Sequence, residues 1–200
     1  MNAVAKETAL SLKPMNIKQA AITIEGMSPL IQHKWAEKAL REMREKHGGK
    51  KTKTREVRVP EQEVLDATYT TPDGQPGVPL LAIKASLIGA AHKDIGVEKT
   101  LVRKGLFIVA PDSSGILPMR HSEPLSREDY VRVGQGGTDL RYRPQFDWWE
   151  VDIVIEYDED LLQLQDIANL IDRAGFGVGI GEWRPEKGGE FGRFRVKRSA

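Results

Sequence analysis

The chain has 200 residues, a formal net charge of +1 and no cysteine. That length suits one domain, or one domain with a large insertion, and can bury a core without staples or metals. The missing cysteines exclude a disulfide framework, a thiolate nucleophile and a Cys-ligated zinc, and the near-zero charge argues against a surface coated in cations.

Residues 1–16 read as a flexible N-terminal arm. It has no apolar core behind basic residues, and no later stretch is long and apolar enough to span a bilayer. The expected location is cytoplasmic, in a bacterium or a phage-infected cell. The alternation of Ala20, Ile22 and Ile24 predicts a strand over 17–25, broken by Gly26-Met27-Ser28-Pro29. Trp35, Ala39, Leu40 and Met43 recur at helical spacing, so 33–46 reads as a helix that His47-Gly48-Gly49 stops. The following segment is a basic loop carrying Lys50, Lys51, Lys53 and Arg55.

Val64 to Tyr69 reads as a short strand, and 71–77 as a turn in which proline presets φ and glycine supplies φ > 0. Leu80 to His92 reads as a buried helix, Leu106 to Ala110 as a strand and 111–115 as a turn. The polar stretch 118–143, with Gly134-Gln135-Gly136-Gly137 inside it, reads as a long functional loop. Trp148 to Tyr157 alternates as a strand, so one of Trp148 and Trp149 points in and the other out. Leu161, Leu164, Ile167, Ala168 and Ile171 predict a helix over 161–174, capped by Gly175, with Asp158, Glu159 and Asp160 placed to favour its N-terminus. Short strands are expected at 178–180 and 192–196. The resulting fold class is α+β: a ferredoxin-like or RRM-like antiparallel sheet with helices on one face and long loop insertions. The domain reading is a single unit over 17–200, with insertions at about 47–60 and 111–145.

The segment from Gly175 to Val196 carries the most chemistry. It follows a helix and lacks Gly-Lys-Ser/Thr, so neither dinucleotide nor Walker-type phosphate binding fits. Its glycines, Gly179, Gly181, Gly188 and Gly189 among them, allow close backbone approach or φ > 0. Arg184, Lys187 and Arg193 offer phosphate partners, and Trp183, Phe191 and Phe194 offer faces for base stacking. The bland alternative is a tight hairpin with surface arginines and core aromatics.

The helix, the basic Trp-Arg-Pro-x-Lys-Gly-Gly insert at 183–189 and the Phe-Gly-Arg-Phe-Arg-Val run at 191–196 together resemble the C-terminal glycine-rich loop of the RAMP superfamily. Those are the RRM-like backbone proteins of CRISPR effector complexes. The chain also resembles uncharacterised bacteriophage proteins. Gly77-Val78-Pro79 before the helix at 80 and the excursion at 118–143 are weaker echoes of the same superfamily. The resemblance implies binding of single-stranded nucleic acid, RNA in particular, without a cofactor, by a chain that self-associates as an oligomer or filament along the strand.

Arg120, Arg132, Arg141 and Arg143 lie in the polar excursion and join the candidate nucleic-acid-binding set, where charge and reach matter more than rigid placement. His33, after the first strand, is the one candidate for a general base in a metal-independent ribonuclease. A lone His before a helix is far more often a cap or surface residue. No histidine pair has ligand spacing, so no metal is expected. A different class of reading, a phage-type assembly protein contacting other chains, accounts equally for the neutral charge and long loops.

Overall fold

The computed structural model describes residues 12–35, 44, 47–48, 58–92, 95–133 and 137–198. The predicted helix at 33–46 and the loop bearing Lys50, Lys51, Lys53 and Arg55 lie almost wholly outside the described residues. Among those described there are nine strands and four α-helices.

Two ten-residue strands form the centre. On β8 (Trp149–Asp158), Trp149, Val151, Ile153, Ile155 and Tyr157 are buried while Asp152 and Val154 face out. That is the period-two pattern of a strand covered on one side. β1 (Ile17–Gly26) turns Ala20, Ile22 and Ile24 to the same core and pairs antiparallel with β8 from Ile17↔Asp158 to Glu25↔Glu150. The free edge of β1 takes β9 (Phe194–Val196) against Ile24–Gly26.

The opposite edge of β8 is shared by two strands in tandem. β4 (Leu106–Ile108) pairs with Tyr157–Ile155, and β5 (Ile116–His121) pairs with Val151–Trp149. β3 (Gly77–Pro79) extends the sheet beyond β5.

One face of this sheet carries α2 (Leu80–Ala90) and α4 (Leu164–Gly177). Ile83 and Leu87 of the first and Ile167, Leu170, Ile171 and Ala174 of the second are buried in the same core. Chain order is therefore β1, α2, the divided strand β4/β5, β8, α4, β9, and spatial order is β9-β1-β8-β4/β5. That is the ferredoxin-like arrangement the sequence predicted. Trp149 packs over Gly26, donates from Nε1 to the Ser28 carbonyl (2.9 Å) and meets Phe194 edge-on. Trp148 is its exposed neighbour.

Several expected elements differ. Residues 64–69 are not a strand; α1 (Pro60–Asp66) occupies Pro60 to Asp66, begun by a proline at its first position and burying no residue. A second short helix, α3 (Lys99–Gly105), leads into β4. Lys84 of α2 donates to the carbonyls of Val102 and Leu106 and lies over the Phe107 ring, and burial lowers its ammonium pKa to about 8.

The excursion at 118–143 is not a loop. It holds β5 and then β6 (Leu125–Val133) and β7 (Gly137–Phe146), a long hairpin whose β7 also pairs with β2 (Leu30–Ile31). Its alternation escaped notice because the buried positions include Asp129 and Arg143, not only apolar residues. The predicted strand at 178–180 is a turn, and α4 runs through Gly175 to Gly177.

The open face of the main sheet bears an ion-pair network. Arg120 Nη2 donates to Asp152 (3.1 Å) and Arg120 Nε to Glu150 (3.2 Å); Lys197 also reaches Glu150, and Arg195 meets Glu25 at 2.7 Å. Arg120, then the Thr23 hydroxyl, holds the Asp152 carboxyl down at about 2, and Lys197, then Arg120, lowers Glu150. Both carboxylates are depressed, so their contribution to stability is full above the ordinary carboxylate range and is lost as pH falls through the folded values. Arg120→Met should therefore be less stable than the parent at neutral pH. The gap should close on acidification between pH about 4 and about 2, where the unfolded and folded carboxylates take up their protons. A gap in urea midpoints independent of pH would show that the network contributes only packing.

Candidate nucleic-acid interface

The glycine-rich segment is a folded-back loop hydrogen-bonded to the end of β1, the break after it and β2. Glu182 N–H donates to the Ile31 carbonyl (2.9 Å), Gly192 N–H to Pro29 (2.8 Å), and Met27 N–H to Arg193 (2.8 Å). Arg193 N–H in turn donates to the Ser28 hydroxyl (3.0 Å). The break at Gly26–Pro29 thus receives the loop's return.

Two glycines show why side chains are excluded. A Cβ on Gly181, where φ is +76°, would lie 2.4 Å from the Ile31 carbonyl oxygen. One on Gly189 would lie 1.8 Å from the carbonyl oxygen of Trp183. Gly179 and Gly188 also have positive φ.

Trp183 itself has φ +53° and is the only non-glycine residue among those described in the left-handed region. Its carbonyl accepts from Phe191 N–H (3.1 Å), while its side chain is 43% exposed. A bulky residue in that conformation persists only where surrounding structure imposes it, and such positions cluster at functional sites.

The neighbouring cations are ordered. Arg184 donates from Nε (3.0 Å) and Nη2 (2.8 Å) to Glu186 and from Nη1 to the Gly181 carbonyl. Lys187 is exposed on the 3₁₀ turn Pro185–Lys187. Arg193 lies over the exposed Phe176 ring at 5.2 Å and 4.0 Å from Glu190. Beside Phe176 opens a groove of about 700 Å³ whose lining includes Met27, Arg173, Arg195 and Asp172. Sequence reading overlooked the acids: Glu182, Glu186 and Glu190 match Arg184, Lys187 and Arg193 in number, so this loop is not a strongly positive patch.

Behind the loop lies a polar cluster formed by the hairpin. Arg143 is 2% exposed and pairs with Asp129 (3.2 Å) and Glu182 (3.5 Å). Asp129 also receives Arg127 Nε (2.8 Å), and the Arg127 guanidinium lies over Phe191 at 5.0 Å. Arg141 Nη1 donates to His33 Nε2 (3.1 Å). Burial first, then Arg143 and Arg141, lowers the His33 pKa below its ordinary value, so the ring is neutral at pH 7. Its Nε2 lone pair is engaged by Arg141, and Nδ1 is enclosed with no partner among the described residues. In this arrangement neither ring nitrogen stands ready to take a proton from a substrate hydroxyl.

The predicted residues therefore separate into groups. Gly179, Gly181, Trp183, Arg184, Lys187, Gly188, Gly189 and Arg193 form one loop. Arg143 supports it from behind through Glu182, buried rather than presented on a mobile loop, while Arg141 meets His33 and Asp139. Arg120 sits on the open sheet face among carboxylates, and Arg132 is exposed on β6. Gln32, which bridges the Gly77 carbonyl and Tyr69 N–H, and Asp129 were missed, because a single buried polar residue leaves no periodic trace.

Among the described residues no helix is long and apolar enough to cross a membrane, and no group of three His, Asp or Glu side chains could hold a metal ion. No family model matches the chain, and no curated protein matches it. Among solved structures, the crystal structure of Cmr6 from Pyrococcus furiosus overlaps 92% of this chain and 100% of that one, at 11% identity and a TM-score of 0.43. The ferredoxin-like assignment rests on this chain's own strand order.

Proposed function

We propose that this protein binds single-stranded nucleic acid, RNA in particular, through its glycine-rich loop. The observation that carries the reading is Trp183, an exposed indole held in a left-handed conformation by the loop's return and flanked by Arg184 and Lys187. Phe176 under Arg193 offers a second face of the same chemistry. Stacking on aromatic faces is sequence-tolerant, because every base has a π-face. The motif's likeness to RAMP glycine-rich loops agrees with this reading.

The balanced charge of the loop makes stacking the main source of affinity. Three cations contacting single-stranded phosphates give a log-log salt slope of about −2 at most, from roughly −0.7 per phosphate. Trp183→Ala should weaken binding of a labelled single-stranded RNA on the order of tenfold or more, since stacking on one aromatic is worth about 1–3 kcal/mol per base. Trp183→Gly should weaken binding equally while changing stability by less than about 1 kcal/mol, because glycine adopts this φ without strain. Unchanged affinity in both variants would remove the loop from the interface.

The alternative of a protein-contacting assembly component draws on Trp148, 47% exposed beside the β7–β8 turn. Purified protein with a protein-like 260/280 ratio and no affinity for RNA would favour it.

A further inference from the structure

β6 is the last strand of its sheet, so one edge of a nine-residue strand has no backbone partner among the described residues. The phase of that edge can be read from β7. Pro144, opposite Ser126, has no N–H, and its carbonyl turns away from β6 to accept from Gln32 N–H (3.2 Å). Leu140, opposite Tyr130, likewise offers its carbonyl to Arg58. Bonded and non-bonded pairs alternate along an antiparallel ladder. The outward N–H and C=O groups therefore belong to Ser126, Glu128, Tyr130 and Arg132. Side chains two apart share a face, and these four are exposed.

We propose that this edge pairs with the same edge of a second copy, antiparallel about a two-fold axis at Tyr130. In that register the two Tyr130 residues stand opposite each other, and each Glu128 faces an Arg132 of the other copy. The backbone groups such a pair would bond are the ones that now face outward. Cross-strand opposite charges and aromatic pairs each stabilise a ladder. Glu128 is already oriented by the hydroxyls of Tyr130 (3.4 Å) and Tyr142. A register centred on Asp129 would set Asp129 against Asp129 and leave Glu128 opposite Tyr130. Charges on an edge strand usually repel other strands. Here their sign reverses about Tyr130, so the edge rejects unlike strands and complements itself. The contact is isologous, as a closed dimer requires, and does not depend on nucleic-acid binding.

The test is sedimentation of the nuclease-treated full chain. The parent should dimerise. Glu128→Arg and Arg132→Glu should each weaken the dimer roughly tenfold or more, because each sets like charges opposite. An equimolar mixture of the two variants should re-form a dimer, since every cross-strand pair is then opposite in sign. A second readout leaves the charges alone. The chain has no cysteine, so Tyr130→Cys puts its only thiol on the axis, and mild oxidation should capture a covalent dimer. Leu81→Cys, exposed on α2, should not be captured. A parent monomeric up to roughly 100 µM would overturn the proposal. So would a dimer indifferent to either charge reversal, a mixture that stays monomeric, or a Tyr130→Cys chain that fails to cross-link.

Discussion

Gly175→Ala should lower stability by about 3 kcal/mol, at the upper end of overpacking effects. Gly175 is where α4 crosses β9. An added Cβ would lie 1.8 Å from the Phe194 carbonyl oxygen and 2.4 Å from its carbonyl carbon. The obstacle is backbone, not the tip of a flexible side chain, so relief requires β9 to move off β1. That movement would loosen Phe194, which is fully buried against Trp149. Two positions later the sign should reverse. Gly177 is exposed in the same helix, and a Cβ there meets nothing within 4 Å. Gly177→Ala should raise stability by up to about 1 kcal/mol, the ordinary helix preference for alanine. Urea unfolding of the two variants measures both. Equal effects would mean that the α4–β9 crossing is looser than its geometry implies.

Arg143→Met should cost about 3 kcal/mol, the lower range for removing one partner of a buried ion pair. The substitution leaves Asp129, 7% exposed, with Arg127 alone, and releases Glu182 of the glycine-rich loop. Asp129→Leu should be harmful for the converse reason, because it leaves the buried Arg143 guanidinium with only the 3.5 Å contact to Glu182. The double variant Asp129→Leu/Arg143→Met should lose clearly less than the sum of the singles, since neither charge is then buried alone. Strict additivity in denaturant unfolding would show that the two groups act separately. Loss of RNA binding by Arg143→Met under conditions where it stays folded would tie the buried pair to the position of the loop.

The sheet's centre was legible because its chemistry is periodic. Ala20, Ile22 and Ile24 on β1 and the odd positions of β8 repeat every second residue, and Trp148 and Trp149 divide between solvent and core as a strand demands. The helix marked by Ile167 and Ile171 was equally plain, although it starts at Leu164 rather than Leu161, which is exposed, and runs on to Gly177. What escaped notice lacks an apolar stripe. α1 buries nothing, and its one local sign is Pro60 at the start. β6 and β7 bury Asp129 and Arg143, so their alternation is one of paired charge and looks polar throughout. Within the glycine-rich loop the residue types were readable but their arrangement was not. No local pattern says that Trp183 takes the left-handed conformation, because Gly189 and Phe191 impose it from farther along the chain.

The pairing of β1 with β8 also sets a timetable for synthesis. Gln19 meets Glu156 across 137 positions of chain. At about 5–20 residues per second, the first strand leaves the ribosome on the order of ten seconds before its central partner exists. Until then Ile22 and Ile24 have no sheet to join, and β9, which closes the other edge, comes later still. The molecule's middle is thus closed late, and the apolar side chains of the nascent first strand stay uncovered until then.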